Sequence, residues 1–232
     1  MVFDAIVLAG GRATRMGGIG KPLLRVAGVT LLDMALGAAA GARSLVVVGP
    51  ADLPVPERVQ LVREDPPFGG PAAALAEGLK PLRRNEPAPW VLVLAADQPA
   101  AGLVVPALLA AGDTPLPSDA VIAVDRAGRR QLLMALYRST ALATAVGTAE
   151  RSAAGISGLP MHRLVAGLSV VEIVLPANVA LAAAALGTDR PEVAGPDVAG
   201  PPGPKGNTKP ADVDRVDIDT WDDAARWGAE LG

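Results

Sequence analysis

Hydrophobic and polar positions alternate along the chain as in repeated βαβ units, where a short apolar run is followed by a longer amphipathic segment. The short, mostly apolar runs predict buried strands at Ala5–Ala9, Leu45–Val48, Val59–Val62, Trp90–Ala96 and Ala120–Val124. Helices are predicted at Leu31–Ala40, at Ala72–Leu82 with Pro71 at its start, and at Leu103–Ala111, Ser139–Gly147 and Met161–Leu168. This pattern predicts a three-layer α/β/α fold around a Rossmann-like, mainly parallel sheet.

The second half of the chain departs from this alternation. Leu132–Tyr137 follows the last of those strands across the turn Asp125–Gly128, which predicts a hairpin, and Val170–Leu175 reads as extended. The 26 residues of Gly187–Asp212 include six Pro and five Gly, which indicates a disordered linker or surface insert. We therefore expect a domain over residues 1–186, an insert over 187–212, and a segment over 213–232 that completes the same domain with a helix at Ala224–Leu231.

Composition narrows the possible chemistry. Of the 232 residues, 50% are hydrophobic and 19% charged, which excludes global disorder, while 3% aromatics argue against base stacking. The net charge of −3 argues against a nucleic-acid or anionic-membrane binder. With no Cys and with His162 as the one His, any metal must be a hard cation on oxygen ligands, such as Mg²⁺. Without a signal-like N-terminus or a long apolar span, we expect a soluble, cytoplasmic protein.

The loop after the first strand has the composition of a phosphate-binding loop. It contains the glycines Gly10, Gly11, Gly17, Gly18 and Gly20 and the bases Arg12, Arg15 and Lys21. Glycines let backbone N–H groups approach an anion, so the loop suits a nucleoside triphosphate, although a solvated surface turn is the alternative. It is neither a P-loop, because Arg15 replaces a required Gly, nor a dinucleotide fingerprint, because Leu23 stands where Gly is needed.

Carboxylates follow other predicted strands. Asp97 stands at a strand end, where a carboxylate can hold Mg²⁺ against a triphosphate or simply cap a turn. Glu64 and Asp65 precede a glycine-rich turn and can accept N–H groups of a guanine edge or belong to an ordinary polar turn. Asp217 and Asp219 are two apart and can complete a metal site or favour the start of the last helix.

Residues past the hairpin turn are candidates for the second substrate. Arg129 and Arg130, which precede Gln131, can contact a phosphorylated co-substrate, but solvated hairpin arginines are equally common.

These blocks together resemble the molybdenum cofactor guanylyltransferases, which are MobA-like nucleotidyltransferases of the nucleotide-diphospho-sugar transferase fold. The resemblance rests on Leu8-Ala9-Gly10-Gly11 with Arg15, Met16, Gly17 and Lys21-Pro22-Leu23-Leu24, on Glu64-Asp65 before Gly69-Gly70-Pro71, on Asp97-Gln98-Pro99, on Gly128-Arg129-Arg130-Gln131 and on Asp217–Asp223. Gly20, Leu132, Trp221 and the aspartates at 217 and 219 depart from the family pattern, as does the insert.

The resemblance implies transfer of GMP from GTP to molybdenum-bound molybdopterin, with release of pyrophosphate. It implies catalytic roles for Arg15, Lys21 and Asp97, and Mg²⁺ on Asp97 with Asp219 as a candidate second ligand. Nucleotide binding is implied for Leu8, Ala9, Gly10, Gly11, Lys21, Glu64, Asp65, Gly70 and Asp97, and acceptor binding for Arg129 and Gln131. Molybdoenzymes or cofactor-insertion proteins are the implied protein partners.

Three alternatives stay open. Related cytidylyltransferases use CTP, although Gly10 and Gln131 favour GTP. The same scaffold can serve another phosphate acceptor, such as a sugar phosphate or phospholactate. A degenerate nucleotide-binding accessory protein is the non-enzyme alternative, against which the retained Arg15, Lys21 and Asp97 argue.

The insert yields a first prediction. Replacing Thr188–Ala211 by a short Gly-Ser link should change the free energy of unfolding by about 1 kcal/mol or less, because closure entropy varies only logarithmically with loop length. Turnover should be unchanged, since six prolines and few large apolar residues leave little to bury. A thermal melt and a pyrophosphate-release assay test this; lost turnover at an unchanged melting temperature would instead identify a lid over the site.

Overall fold

The computed structural model describes residues 1–10, 20–84, 86–115, 117–125, 127–174, 218 and 229–230. In chain order the strands are β1 (Phe3–Leu8), β2 (Arg25–Val26), β3 (Val29–Thr30), β4 (Leu45–Val48), β5 (Gln60–Val62), β6 (Trp90–Ala95), β7 (Ala120–Val124), β8 (Arg130–Arg138), β9 (Val170–Val174) and β10 (Ala229–Glu230). The helices are α1 (Leu31–Ala38), α2 (Pro71–Arg83), α3 (Ala101–Gly112), α4 (Ser139–Arg151) and α5 (Met161–Leu164), with a 3₁₀ turn at Lys21–Leu23.

Seven strands form the main sheet in the order β5-β4-β1-β6-β8-β7-β9. All neighbours pair in parallel except β8, which is antiparallel to both β6 and β7. The predicted hairpin accounts for this reversal, because a tight turn can join only antiparallel strands. The predicted α/β class and mainly parallel sheet are therefore confirmed.

Helices cover both faces of this sheet, as the apolar strands require. Along β1, Ala5 and Val7 face a core shared with α1 and α3, whereas Ile6 and Leu8 face a core shared with α2, α4 and α5. Helix α2 approaches β1 so closely that a Cβ at Gly78 would lie 2.7 Å from Ile6 Cγ2. Of the helices in the described ranges, none is both long and apolar enough to cross a membrane.

Two predicted helices need correction. The helix predicted at Met161–Leu168 ends at Leu164, because Ala166 and Leu168 make i→i−3 turn hydrogen bonds that lead the chain toward β9. The helix predicted at Ala224–Leu231 is wrong at Ala229–Glu230, which form β10 and pair with β2. The rest of that segment and the insert lie outside the described residues.

A second, three-stranded sheet with the order β10-β2-β3 was not predicted. Its β2–β3 hairpin turns through Ala27 (φ 50°) and Gly28 (φ 76°), the paired positive φ values typical of a two-residue hairpin turn. Thr30 then caps α1, because its hydroxyl accepts the Asp33 N–H at 3.0 Å. This small sheet joins the end of the chain to the segment that follows Lys21.

An ion pair between a buried carboxylate and a half-exposed arginine fastens the end of the sheet where β1 begins. Asp4 on β1 has no exposed surface and accepts hydrogen bonds from Arg43 Nε (3.2 Å), Arg43 Nη2 (3.0 Å) and the Ala88 N–H (2.8 Å). These contacts tie β1 to the loops before β4 and before β6, so one carboxylate aligns three central strands.

Asp4→Asn should therefore lower the free energy of unfolding by about 2–4 kcal/mol, because it weakens hydrogen bonds made by a buried charge and leaves Arg43 without its counter-ion. Chemical denaturation measures the change. The control is Glu172→Gln, which breaks an exposed pair with Arg130 and should cost less than about 1 kcal/mol. Equal small effects of the two substitutions would contradict the anchoring role of Asp4.

Candidate active site

A cleft of about 790 Å³ opens at the edge of the sheet where β1, β4 and β6 end and β8 begins. Its volume lies within the range of pockets that hold nucleotide-sized ligands. Among the predicted site residues, those lining it are Leu8, Ala9, Gly10, Lys21, Glu64, Gly70, Asp97 and Gln131. The structure therefore brings together residues that are more than 120 positions apart in sequence.

The topology explains the position of this cleft. From β1 the chain moves outward to β4 and β5 and then returns past β1 to β6, so a topological switch point lies between β1 and β6. Backbone hydrogen bonds continue the ladder beyond the strand ends, from Ala9 N to Val48 O (2.8 Å) and from Ala96 N to Leu8 O (2.9 Å). Gly10 and Asp97 consequently leave the sheet side by side.

Opposite charges meet in the lining of the cleft. Lys21 Nζ lies 3.8 Å from Asp97 Oδ2, and the two side chains are 18% and 26% exposed. Lys21 is held at the start of the 3₁₀ turn, where its carbonyl accepts the Leu24 N–H. A fixed cation and a fixed anion that both reach solvent can serve a phosphate group and a hard cation, respectively.

The loop between β5 and α2 forms one wall. The Glu64 carboxylate accepts the Phe68 N–H at 2.7 Å, which holds Phe68 at φ 66° with 55% of its surface exposed at the cleft. Gly70 precedes α2 with φ 88° and ψ 176°, a conformation open essentially to glycine alone. Asp65 is exposed and lies outside the cleft lining, so of the predicted pair Glu64 is the residue at the cleft.

The β7–β8 hairpin forms the opposite wall. Gln131 and Arg130 line the cleft, and Arg130 Nε lies 2.6 Å from Glu172 Oε1 on β9. Arg129 lies outside the lining, and its Nε donates to Asp125 Oδ2 at 2.7 Å. Strand β6 lies between β1, which leads to Gly10, and β8, which carries Gln131. Gln131 therefore lines the cleft on the β8 side, whereas Gly10 lines it on the β1 side.

Several candidate site residues lie outside the described residues, namely Gly11, Arg12, Arg15, Gly17, Gly18, Asp217 and Asp219. The residue before Asp219 is described: the Ile218 N–H donates to the Asp97 carbonyl at 3.0 Å, and its side chain is fully buried in the core shared with α1 and α3. The backbone of Ile218, near the end of the chain, is thus hydrogen-bonded to the backbone of Asp97.

Comparison with known proteins agrees with this geometry. Residues 5–164 match the family described as the MobA-like NTP transferase domain, which spans more than half of the chain. The chain belongs to this family. The match begins in β1 and ends with α5, and it includes every described residue of the cleft wall.

One relative in sequence and two solved structures illustrate what the chain is similar to. The chain is 36% identical over 155 residues to a protein of Chloroflexus aggregans named "Probable molybdenum cofactor guanylyltransferase", covering 62% of this chain and 69% of the relative. Molybdopterin-guanine dinucleotide biosynthesis protein A from Archaeoglobus fulgidus shares the fold at 20% identity and a TM-score of 0.51, over 74% of this chain and 83% of that one. The 2-C-methyl-D-erythritol 4-phosphate cytidylyltransferase of Thermus thermophilus shares it at 22% identity and 0.50, over 77% and 91%.

Sequence reasoning missed Phe68 and Asp125 in this MobA-like site. The sequence does point to Phe68, because a large aromatic residue in a loop of proline and glycine belongs to no buried strand or helix and is therefore a candidate for an exposed contact. Asp125 was interpreted only as a turn residue, since the partners that its carboxylate gathers depend on the register of β8.

Proposed function

We propose that the protein transfers the GMP moiety of GTP to molybdenum-bound molybdopterin and releases pyrophosphate. The observation that carries this proposal is the Lys21–Asp97 pair, which lies at the switch point of a cleft in a MobA-like fold. The name of the Chloroflexus aggregans relative supports the choice of substrates. Molybdoenzymes or cofactor-insertion proteins would receive the product.

The nucleotide would bind on the β1 and α2 side of the cleft. Backbone N–H groups of the Gly10–Gly18 loop would hold the triphosphate, and Lys21, together with Arg15 from the family motif, would neutralise its charge. Glu64 would accept N–H groups of the guanine edge through the carboxylate surface that it presents beside Phe68. Gly70 would allow the base close to the backbone.

The reaction requires little proton chemistry. An oxygen of the acceptor's phosphate monoester attacks the α-phosphorus of GTP, and the bond from that phosphorus to the oxygen bridging to the β-phosphate breaks. The attacking phosphate is already anionic near neutral pH, so no general base is needed. Catalysis then consists of holding two anions in line and neutralising their charge, which is the role proposed for Lys21 and Arg15.

A divalent cation fits the donor set at Asp97. Mg²⁺ typically binds one or two carboxylates, completing its shell with phosphates and water rather than a protein cage. The partly exposed Asp97 carboxylate meets that requirement, and the described residues contain no cluster of three or more His, Cys, Asp or Glu. We propose that Asp97, with Asp219 as second ligand, holds Mg²⁺, which would supply charge neutralisation at the phosphates.

The other candidate functions are decided by one assay. The protein is incubated with Mg²⁺, each nucleoside triphosphate in turn and one acceptor at a time, namely molybdopterin, a sugar phosphate or phospholactate. Pyrophosphate release and nucleotide binding are both measured. Release with GTP supports the proposal, release with CTP assigns the cytidylyltransferase alternative, and release only with a sugar phosphate or phospholactate changes the acceptor. Nucleotide binding without release under any of these conditions identifies an accessory protein.

Asp97→Asn should lower turnover by two or more orders of magnitude, because the cation loses its anionic ligand. The melting temperature should change little, since Asp97 is partly exposed at the strand end. Pyrophosphate release at saturating Mg²⁺ measures the effect.

The matched control is Asp113→Asn, at the exposed end of α3 next to the N-terminus. It makes the same chemical change outside the cleft and should leave turnover within about twofold. Near-normal turnover of the Asp97 variant would remove Asp97 from the proposed metal site.

Gly10→Ala should shift nucleotide preference from GTP toward CTP. Among the described residues, a Cβ at Gly10 would meet only Val48 O, at 3.9 Å, so the fold that they form tolerates it, yet it would occupy space at the cleft that the larger base needs. Isothermal titration with both nucleotides measures the ratio of dissociation constants. Gly37→Ala, in α1 with open space around its Cβ, is the control, and an unchanged ratio in the Gly10 variant would contradict the prediction.

A further inference from the structure

Asp125, directly after β7, is a buried carboxylate that lies beside the cleft. Its side chain is 2% exposed and accepts four hydrogen bonds from described residues. Oδ1 accepts the N–H groups of Ala127 (3.0 Å) and Arg129 (2.9 Å), and Oδ2 accepts Arg129 Nε (2.7 Å) and Gln131 Nε2 (3.0 Å). The first pair shapes the turn, whereas the second pair holds the side chains of Arg129 and Gln131, of which Gln131 lines the cleft.

The contact with Gln131 determines which way that amide faces. A carboxylate oxygen only accepts hydrogen bonds, so Asp125 selects the amide orientation with Nε2 turned inward. Among the described residues, every buried side-chain nitrogen or oxygen has a hydrogen bond, and the Gln131 amide bonds only to Asp125. Gln131 Oε1 is therefore open to solvent in the cleft that Gln131 lines.

An irregularity in β8 brings Gln131 to this position. On β7, Ile122 and Ala123 are adjacent, but they pair with Ala135 and Gln131, so β8 carries extra residues between these partners. The fully buried Tyr137 donates its hydroxyl to the Leu132 carbonyl at 2.8 Å, and burial raises the pKa of that hydroxyl above its usual value. The donor is thus kept protonated, and the bulge is pinned by Tyr137 on one side and Asp125 on the other.

The sheet order indicates which substrate Gln131 meets. Strand β8 lies beyond β6 when counted from β1, so Asp97 at the end of β6 separates Gln131 from Gly10 and Gly70. Leu132 and Leu133, the half-buried residues that follow Gln131 on β8, line the cleft and offer apolar surface. A flat heterocycle with an N–H edge fits such a wall.

We propose that Asp125 is a positioning residue that orients the Gln131 amide so that Oε1 accepts a hydrogen bond from an N–H group of the acceptor's heterocycle. The proposal rests on the proposed function, because that function requires an acceptor in this half of the cleft. It assigns Asp125 no contact with substrate of its own.

The test exchanges the polarity of the pair. In Asp125→Asn, the backbone N–H groups of Ala127 and Arg129 still require an acceptor at Oδ1, so the amide nitrogen replaces Oδ2. The half-exposed Arg129 guanidinium then loses this contact and turns to solvent, and the Gln131 amide must turn over and present Nε2 to the cleft. The KM for the acceptor should rise roughly tenfold to hundredfold, as expected for a lost hydrogen bond that leaves a donor facing a donor. The kcat and the dissociation constant for GTP alone should stay within about twofold.

Rescue distinguishes positioning from a purely structural role. Gln131→Glu alone puts two carboxylates together and should also raise the acceptor KM. In the double variant Asp125→Asn/Gln131→Glu, the new amide at 125 donates to the new carboxylate at 131, whose second oxygen again faces the cleft as an acceptor. The double variant should recover the KM to within about threefold of the original protein, an outcome that a merely destabilised hairpin would not give.

A second measurement keeps the inference testable whatever the acceptor proves to be. In a ¹⁵N-resolved spectrum, the side-chain NH₂ signal of Gln131, assigned by its loss in Gln131→Glu, should shift in Asp125→Asn. An unshifted signal, a changed GTP affinity or failure of the double variant to recover would overturn the inference.

Absence of pyrophosphate release by the original protein would overturn the proposed function instead and leave the spectral test standing. If Asp125→Asn fails to fold, Gln131→Met, which keeps the other hydrogen bonds of Asp125, serves for the KM comparison and must show the same rise.

Discussion

The parallel pairing of β1 with β6 is the constraint on which the site depends. Six residue pairs hold the two strands in register from Phe3–Trp90 to Leu8–Ala95, and the Ala96 N–H continues the ladder by donating to Leu8 O at 2.9 Å. A slip of one residue would turn every side chain of β6 to the other face of the sheet and would move Asp97 away from Lys21. The buried Asp4 carboxylate at the opposite end stabilises this register, because it holds the entry to β1 against the entry to β6.

Sequence patterning predicted the framework because burial on both faces leaves a simple signal. β1, β4, β6 and β7 are fully buried strands, and each was predicted to within two residues at either end. The residues that follow such strands necessarily reach the carboxyl edge, so Gly10 and Asp97 were each predicted to lie at a strand end, where open α/β sheets bind ligands. Spacing says nothing about distance, and the 3.8 Å contact with Lys21 came only from the structure.

The features that were missed are set by long-range partners rather than by local pattern. β10 contains two residues whose strand conformation depends on pairing with β2, about 200 positions earlier, so a helical expectation was natural there. The irregularity in β8 separates two kinds of partner. Gln131 donates its side-chain amide to Asp125, whereas the residues from Met134 onward pair with β6. Nothing in the sequence around Glu64 indicates that one of its carboxylate oxygens accepts the Phe68 N–H, since this contact depends on the conformation of the loop.

The two walls of the cleft are built by different means, and this difference bears on how each can change. On the β5–α2 side, a positive-φ Phe68 and Gly70 shape a loop in which the backbone conformation itself is specialised. On the β7–β8 side, the backbone is strand, and the surface is set by side-chain hydrogen bonds that converge on the buried Asp125. Substitution on the first wall therefore meets conformational strain, whereas on the second a change of polarity at one residue needs a matching change at its partner. Altered acceptor preference in this fold should accordingly require paired substitutions across the hairpin. Nucleotide preference, by contrast, can shift through single positions such as Gly10, where a Cβ meets little of the described part of the fold.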